Sequence, residues 1–259
     1  MTPPATTRVA GEDGVAVAVH RWGQPVGQRP VVLQHGFVAD THSNWVVPGL
    51  VGALLAAGRA VIGIDARGHG GSDKPHDPDR YGETVMAADV RRVAGTLGLG
   101  SYDLVGYSMG AIVALLVAVD DPRVRRLVVG GIGAGVVELG GLDTRSVRSE
   151  AIVAALEADD PAAVATSGAA GFRRLADRVG ADRLALAAHA RRVHERPIPL
   201  HEIGAPTLVL AGVEDPLAAR PEVLAGALPN GRLARVPGNH LAAVGTPEFR
   251  TALVDFLTD

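Results

Sequence analysis

The apolar positions of this chain fall into two alternating patterns. Short continuous runs, at 30–34, 59–65, 102–106 and 124–129, read as strands buried on both faces. Between them, 44–58, 81–99 and 108–119 read as helices. In 81–99 the residues Val85, Ala88, Val90, Val93, Ala94 and Leu97 recur at helical spacing, and Gly98 and Gly100 stop the run. Strands that alternate with helices predict an α/β fold, a parallel sheet covered by helices on both faces. An antiparallel hairpin is predicted before it, over 8–22, turning at Gly11-Glu12-Asp13-Gly14. The alternation lapses from Ala134 to Leu200, where only helical patterns appear, at 143–157, 161–170 and 181–195. It resumes with strands at 205–211 and 232–236 and helices at 221–228 and 247–257. The expected division is a core domain of 1–133 and 201–259 with a helical insertion of 134–200.

Composition narrows the classes of function. The chain has 259 residues, 47% of them hydrophobic, and a formal net charge of −3. A single core of this size is ordinary. No basic stripe is present to neutralise phosphates, so no nucleic-acid partner is expected. The longest apolar run, 111–119, is far short of the ~20 residues that span a bilayer, so no membrane partner is expected. There is no cysteine, which excludes disulfides and thiolate metal sites. The first ten residues carry no apolar signal-peptide core, and a cytoplasmic location is expected. No cofactor motif and no metal-ligand cluster is seen, and the oligomeric state is not assigned.

Gly106-Tyr107-Ser108-Met109-Gly110 has the form G-x-S-x-G, with an apolar strand running in and an apolar helix running out. Such a strand-to-helix elbow holds a nucleophilic Ser at strained backbone angles, and side chains at the flanking glycines would collide. An alcohol needs a base to take its proton and an acid to orient that base. His240 follows the strand ending near Val236 and is the expected base. Asp215 follows the strand 207–211 and is the expected acid, with Glu214 and Glu138 as rivals. His189, His194 and His201 are expected on the surface. The backbone N–H of Met109, at a helix N-terminus, is one expected oxyanion donor, and that of Phe37, after the first buried strand, is the other. His35 is expected to shape that loop rather than move a proton. His35, Gly36, Trp45 and Tyr107 are the expected lining of a substrate pocket, with core packing an equal alternative for Trp45. The Gly-rich stretch 65–72 (Asp-Ala-Arg-Gly-His-Gly-Gly-Ser) has no Lys-Ser/Thr after it and reads as a structural turn, not a phosphate loop.

These residues together resemble the α/β-hydrolase superfamily, in the branch of small bacterial esterases, haloperoxidase-like perhydrolases and C–C bond hydrolases. His35-Gly36, Asp65-x-Arg67-Gly68-x-Gly70-x-Ser72, the elbow at Ser108, Asp215 and His240 match in kind and order. The resemblance implies a mostly parallel eight-stranded sheet, a helical cap formed by 134–200, and a small-molecule ester-type substrate. Relatives that cleave haloalkanes or epoxides use Asp where this chain has Ser108, and its cap holds one aromatic residue, Phe172. C–C cleavage, acyl transfer or perhydrolysis by the same residues, or ligand reception without turnover, remain open. Arg145, Arg148 and Arg173 in the cap are candidates for holding an anionic substrate, but their balance with acidic residues favours a solvated face.

Overall fold

The computed structural model describes residues 2–24 and 27–258. Eight strands form one sheet: β1 (Ala5–Ala10), β2 (Ala16–Trp22), β3 (Val31–Gln34), β4 (Val61–Ile64), β5 (Tyr102–Tyr107), β6 (Val124–Gly130), β7 (Thr207–Gly212) and β8 (Gly231–Val236). Their order is β1-β2-β4-β3-β5-β6-β7-β8. β1 and β2 form the predicted antiparallel hairpin, β2 runs antiparallel to β4, and every later pairing is parallel.

Strand side chains alternate between faces, and this splits the core in two. Val32, Leu104, Val129 and Val209 point to one face, which is covered by α2 (Glu83–Thr96), α3 (Met109–Asp120) and α8 (Pro221–Ala227). Val31, Leu33, Val105, Val128 and Leu210 point to the other, which is covered by α1 (Leu50–Ala56) and α9 (Pro247–Thr258). Because both faces are covered, the central strands read as unbroken apolar runs, whereas the edge strand β8 is only partly buried. The helix predicted over 44–58 is two pieces, a π-helical turn at His42–Val46 and then α1. Pro48 has no N–H to continue the first piece, and Gly49 takes φ +81° between them.

Among the described residues no strand lies between β6 and β7; the chain there forms α4 (Gly135–Leu139), α5 (Ser149–Glu157), α6 (Ala170–Val179) and α7 (Arg183–Ala190). Leu156, Ala176, Leu186 and Ala187 pack together over Val38 in a third, small cluster. The helix expected at 161–170 is a 3-10 turn, Pro161–Val164, capped by Asp160, and the longer helix follows it as α6. The signal for α6 is in the sequence: Phe172, Leu175, Ala176 and Val179 stand at i, i+3, i+4 and i+7. No helix of the described residues is long and apolar enough to cross a membrane.

Candidate active site

Ser108 sits between β5 and α3 with φ 55° and ψ −120°, a conformation that an L-residue adopts only under constraint. The constraint is the packing of the elbow. A Cβ on Gly106 would lie 2.1 Å from the carbonyl oxygen of Gly110, and one on Gly110 would lie 2.2 Å from that of Gln34. The backbones of β5, α3 and β3 therefore touch, and Ser108 is lifted above the carboxyl end of the sheet.

Two loops at the same end of the sheet deliver its partners. After β7 the chain turns at Asp215, whose carboxylate accepts an N–H from Leu217 at 2.9 Å and caps the 3-10 turn Pro216–Ala218. After β8 the chain carries His240. Its Nδ1 lies 2.8 Å from Asp215 Oδ2, and its Nε2 lies 2.9 Å from Ser108 Oγ. A carboxylate only accepts, so Nδ1 carries the proton; Nε2 is then the acceptor facing the Ser108 hydroxyl. The Asp215 side chain is fully buried, while that of His240 is 19% exposed. Tyr107 packs under the imidazole and donates its hydroxyl to the His240 carbonyl oxygen at 2.6 Å. Burial pushes the Tyr107 hydroxyl pKa well up, so it stays a donor.

Phe37 and Met109, the two expected oxyanion donors, line the same cavity as Ser108. Among the described residues neither the Phe37 nor the Met109 N–H has a hydrogen-bond partner. The loop that presents Phe37 is held from below. Gly36 donates its N–H to Asn44 Oδ1 at 2.9 Å, and a Cβ on Gly36 would sit 3.3 Å from that of Ser108. His35 donates from Nδ1 to the Gly36 carbonyl and accepts the Ala66 N–H on Nε2. Both ring nitrogens are committed to backbone, and burial lowers the pKa of the ring, so it stays neutral.

The alpha/beta hydrolase fold family matches residues 29–140, which span β3 to α4. A hydrolase from Pseudomonas aeruginosa is 26% identical with a TM-score of 0.77, covering 97% of this chain and 98% of its own. An esterase from Exiguobacterium antarcticum is 24% identical with a TM-score of 0.81, covering 98% and 100%. The chain has the α/β-hydrolase fold. In sequence it is similar to a putative 2-succinyl-6-hydroxy-2,4-cyclohexadiene-1-carboxylate synthase of Bacillus subtilis, 34% identical over 144 residues, which are 55% of this chain and 50% of that protein. The chain spans half or less of the length of the curated relatives it matches first.

A narrow cavity of about 60 Å³ opens at Ser108 and Met109. Its apolar walls come from Phe37 and from the segment between β6 and β7, notably Leu142, Ile152 and Phe172, with Leu217 beyond Asp215. The expected lining differs. His35, Gly36, Trp45 and Tyr107 do not line it: His35 and Gly36 lie beneath the Phe37 loop, Tyr107 lies under His240, and Trp45 is fully buried in the core beside Val31 and Leu50. A larger groove of about 840 Å³ lies by Trp22, Pro30 and Val61, at the opposite end of the parallel strands from Ser108.

The rival acids point elsewhere. Glu214 is exposed, and Glu138 pairs with Arg145 and Arg220. Of the three candidate anion-binding arginines, Arg145 and Arg148 pair with neighbouring acids, and Arg173 is buried, donating to Asp177 and to the carbonyls of Ala155 and Ala158. The stretch 65–72 is structural, as expected. Arg67 is buried against Asp89 and Asp13, and Ser72 donates to the Asp65 carbonyl while accepting the Ala18 N–H.

One expectation fails outright. His189 is not on the surface; it is 1% exposed and lines the cavity, against Phe37, Tyr81 and His69. His194 also lines the cavity, while His201 is exposed.

The buried histidines make stability pH-dependent. Burial lowers the pKa of His35 and His194 and lowers that of His69 well below its ordinary value. The unfolded chain then binds protons that the folded one refuses, so stability falls as pH drops below about 6.5. His20, whose pKa is raised by its hydrogen bond to Asp65, opposes the trend. Urea unfolding at pH 7.5 and 5.5 should show wild type losing stability on acidification, with His69→Gln losing about 1 kcal/mol less. Equal losses in both proteins would mean that His69 does not carry the effect.

Proposed function

We propose that the protein is a serine hydrolase that cleaves a small ester-type substrate through an acyl-enzyme. The carrying observation is the run of hydrogen bonds from Asp215 through His240 to Ser108, ending at an apolar cavity. Ser108 Oγ attacks the carbonyl carbon as His240 Nε2 takes its proton, and Asp215 holds the imidazole and offsets its new charge. The N–H groups of Phe37 and Met109 donate to the tetrahedral oxyanion. His240 then protonates the leaving alkoxide, and water, activated in turn by His240, frees the acid. The helices at 134–200 act as a cap on the core of 1–133 and 201–259, and their side chains choose the substrate.

A fluorophosphonate probe tests this reading. Ser108 Oγ should displace fluoride and carry the phosphonyl group, and peptide mapping should find the label on the Ser108 peptide. Prior incubation with a short-chain ester should slow labelling. Folded protein that takes no label, or takes it at another residue, would end the proposal.

A further inference from the structure

Some polar side chains that line the cavity take no part in the acyl chemistry above. Glu83, the first residue of α2, is 2% exposed, and His189 on α7 is 1% exposed; both line the cavity. Glu83 Oε2 accepts the His194 N–H at 2.7 Å, and the amino end of α2 favours its charge. Its other oxygen, Oε1, lies 3.6 Å from His189 Nε2, beyond hydrogen-bond range. Neither nitrogen of His189 has a partner among the described residues, and His194 Nε2 is also unpartnered. The remaining contacts of the His189 ring are with Phe37, His69 and Tyr81, through ring faces and edges. A buried polar group without a partner is costly, and His189 keeps an unpartnered ring nitrogen beside a Glu83 oxygen, where a ligand group could reach both.

We infer that Glu83 and His189 form a specificity subsite for a neutral hydroxyl group on the substrate. The inference rests on the esterase reading of the same cavity. A hydroxyl both donates and accepts. Its hydrogen goes to Glu83 Oε1, and its oxygen accepts the N–H of His189. A hydroxyl oxygen standing to one side of the 3.6 Å line from Oε1 to Nε2 can lie at an ordinary ~2.8 Å from each. A carboxylate on the substrate would meet the buried charge of Glu83, and an alkyl end would leave the His189 ring unpaired. The favoured substrate is therefore a small hydroxy ester whose carbonyl meets Ser108 while its hydroxyl reaches α2 and α7.

Ethyl 3-hydroxybutyrate and ethyl butyrate differ by this one group and test it. In wild type the hydroxy ester should have a kcat/KM about 10- to 100-fold higher, the range of a hydrogen bond to a charged partner. The ratio should collapse toward one in Glu83→Gln and in His189→Phe; the second suits the ring-lined site and guards against loss of fold in the first. Binding is read separately in Ser108→Ala, which needs no turnover, by following the His189 ring nitrogens by NMR as each ester is added. The hydroxy ester should move them at lower concentration. Equal binding and equal kcat/KM for the two esters would overturn the subsite, as would preference for the ammonium-bearing ethyl 3-aminobutyrate. If neither ester is turned over, the esterase reading fails alone, and the titration still decides the subsite.

Discussion

Replacing Ser108 by Ala should lower kcat for short-chain esters by ~10⁵-fold or more, with the protein still folded. The size follows from the geometry. Among the described residues Ser108 Oγ alone meets His240 Nε2 at hydrogen-bond distance, so no described neighbour inherits the attack. The residual rate over water would come from the oxyanion donors and the cavity acting on a bound water. Stability should hold or rise, because φ 55° and ψ −120° are fixed by Gly106 and Gly110 rather than by the hydroxyl. Steady-state turnover of p-nitrophenyl acetate, beside a thermal melt, checks both parts. A folded variant that keeps a tenth of the wild-type rate would remove Ser108 from the chemistry.

The sheet was legible because its central strands are buried on both faces. Residues 30–34, 59–65 and 102–106 therefore had no polar alternation to blur them, and each ended in a glycine- or histidine-containing turn. Ser108, Asp215 and His240 were legible for a related reason. Each stands just past the carboxyl end of a strand that could be recognised, and the structure brings the three within hydrogen-bond distance. The cavity walls were not legible. They depend on how α5, α6 and α7 fold back over the Phe37 loop, and a helix's own period cannot say which neighbour its apolar face meets. His189 shows the limit. Arg183, Arg191 and Arg192 around it suggest a solvated helix, yet the ring turns inward between Phe37 and Tyr81. Glu83 was hidden in the same way, as a first-turn acid that usually only serves the helix dipole. For Trp45 pocket lining and core packing stood as equal alternatives, and the structure takes the second, because the helical piece that carries it packs under the sheet.

Asp215→Asn should cut kcat by ~10⁴-fold while leaving the melting temperature close to wild type. The side chain does two things. Oδ1 caps the turn at Leu217, and Oδ2 accepts from His240 Nδ1. Asparagine keeps one carbonyl oxygen and gains an NH₂. If the oxygen stays on the Leu217 N–H, the amide faces Nδ1 with donors, and the imidazole must present a lone pair there. The proton then moves to Nε2, and the ring can no longer accept from Ser108. If the amide flips to satisfy Nδ1, the cap is lost and an NH₂ is left facing the Leu217 N–H. Either arrangement fails one partner, and the imidazolium that forms during attack loses its buried countercharge. Glu214→Gln is the control. Its side chain is exposed one residue away, so its loss should change kcat by less than about twofold. Comparing kcat for the two variants on one ester, with melts alongside, separates them. A large loss in Glu214→Gln with Asp215→Asn unimpaired would reassign the acid.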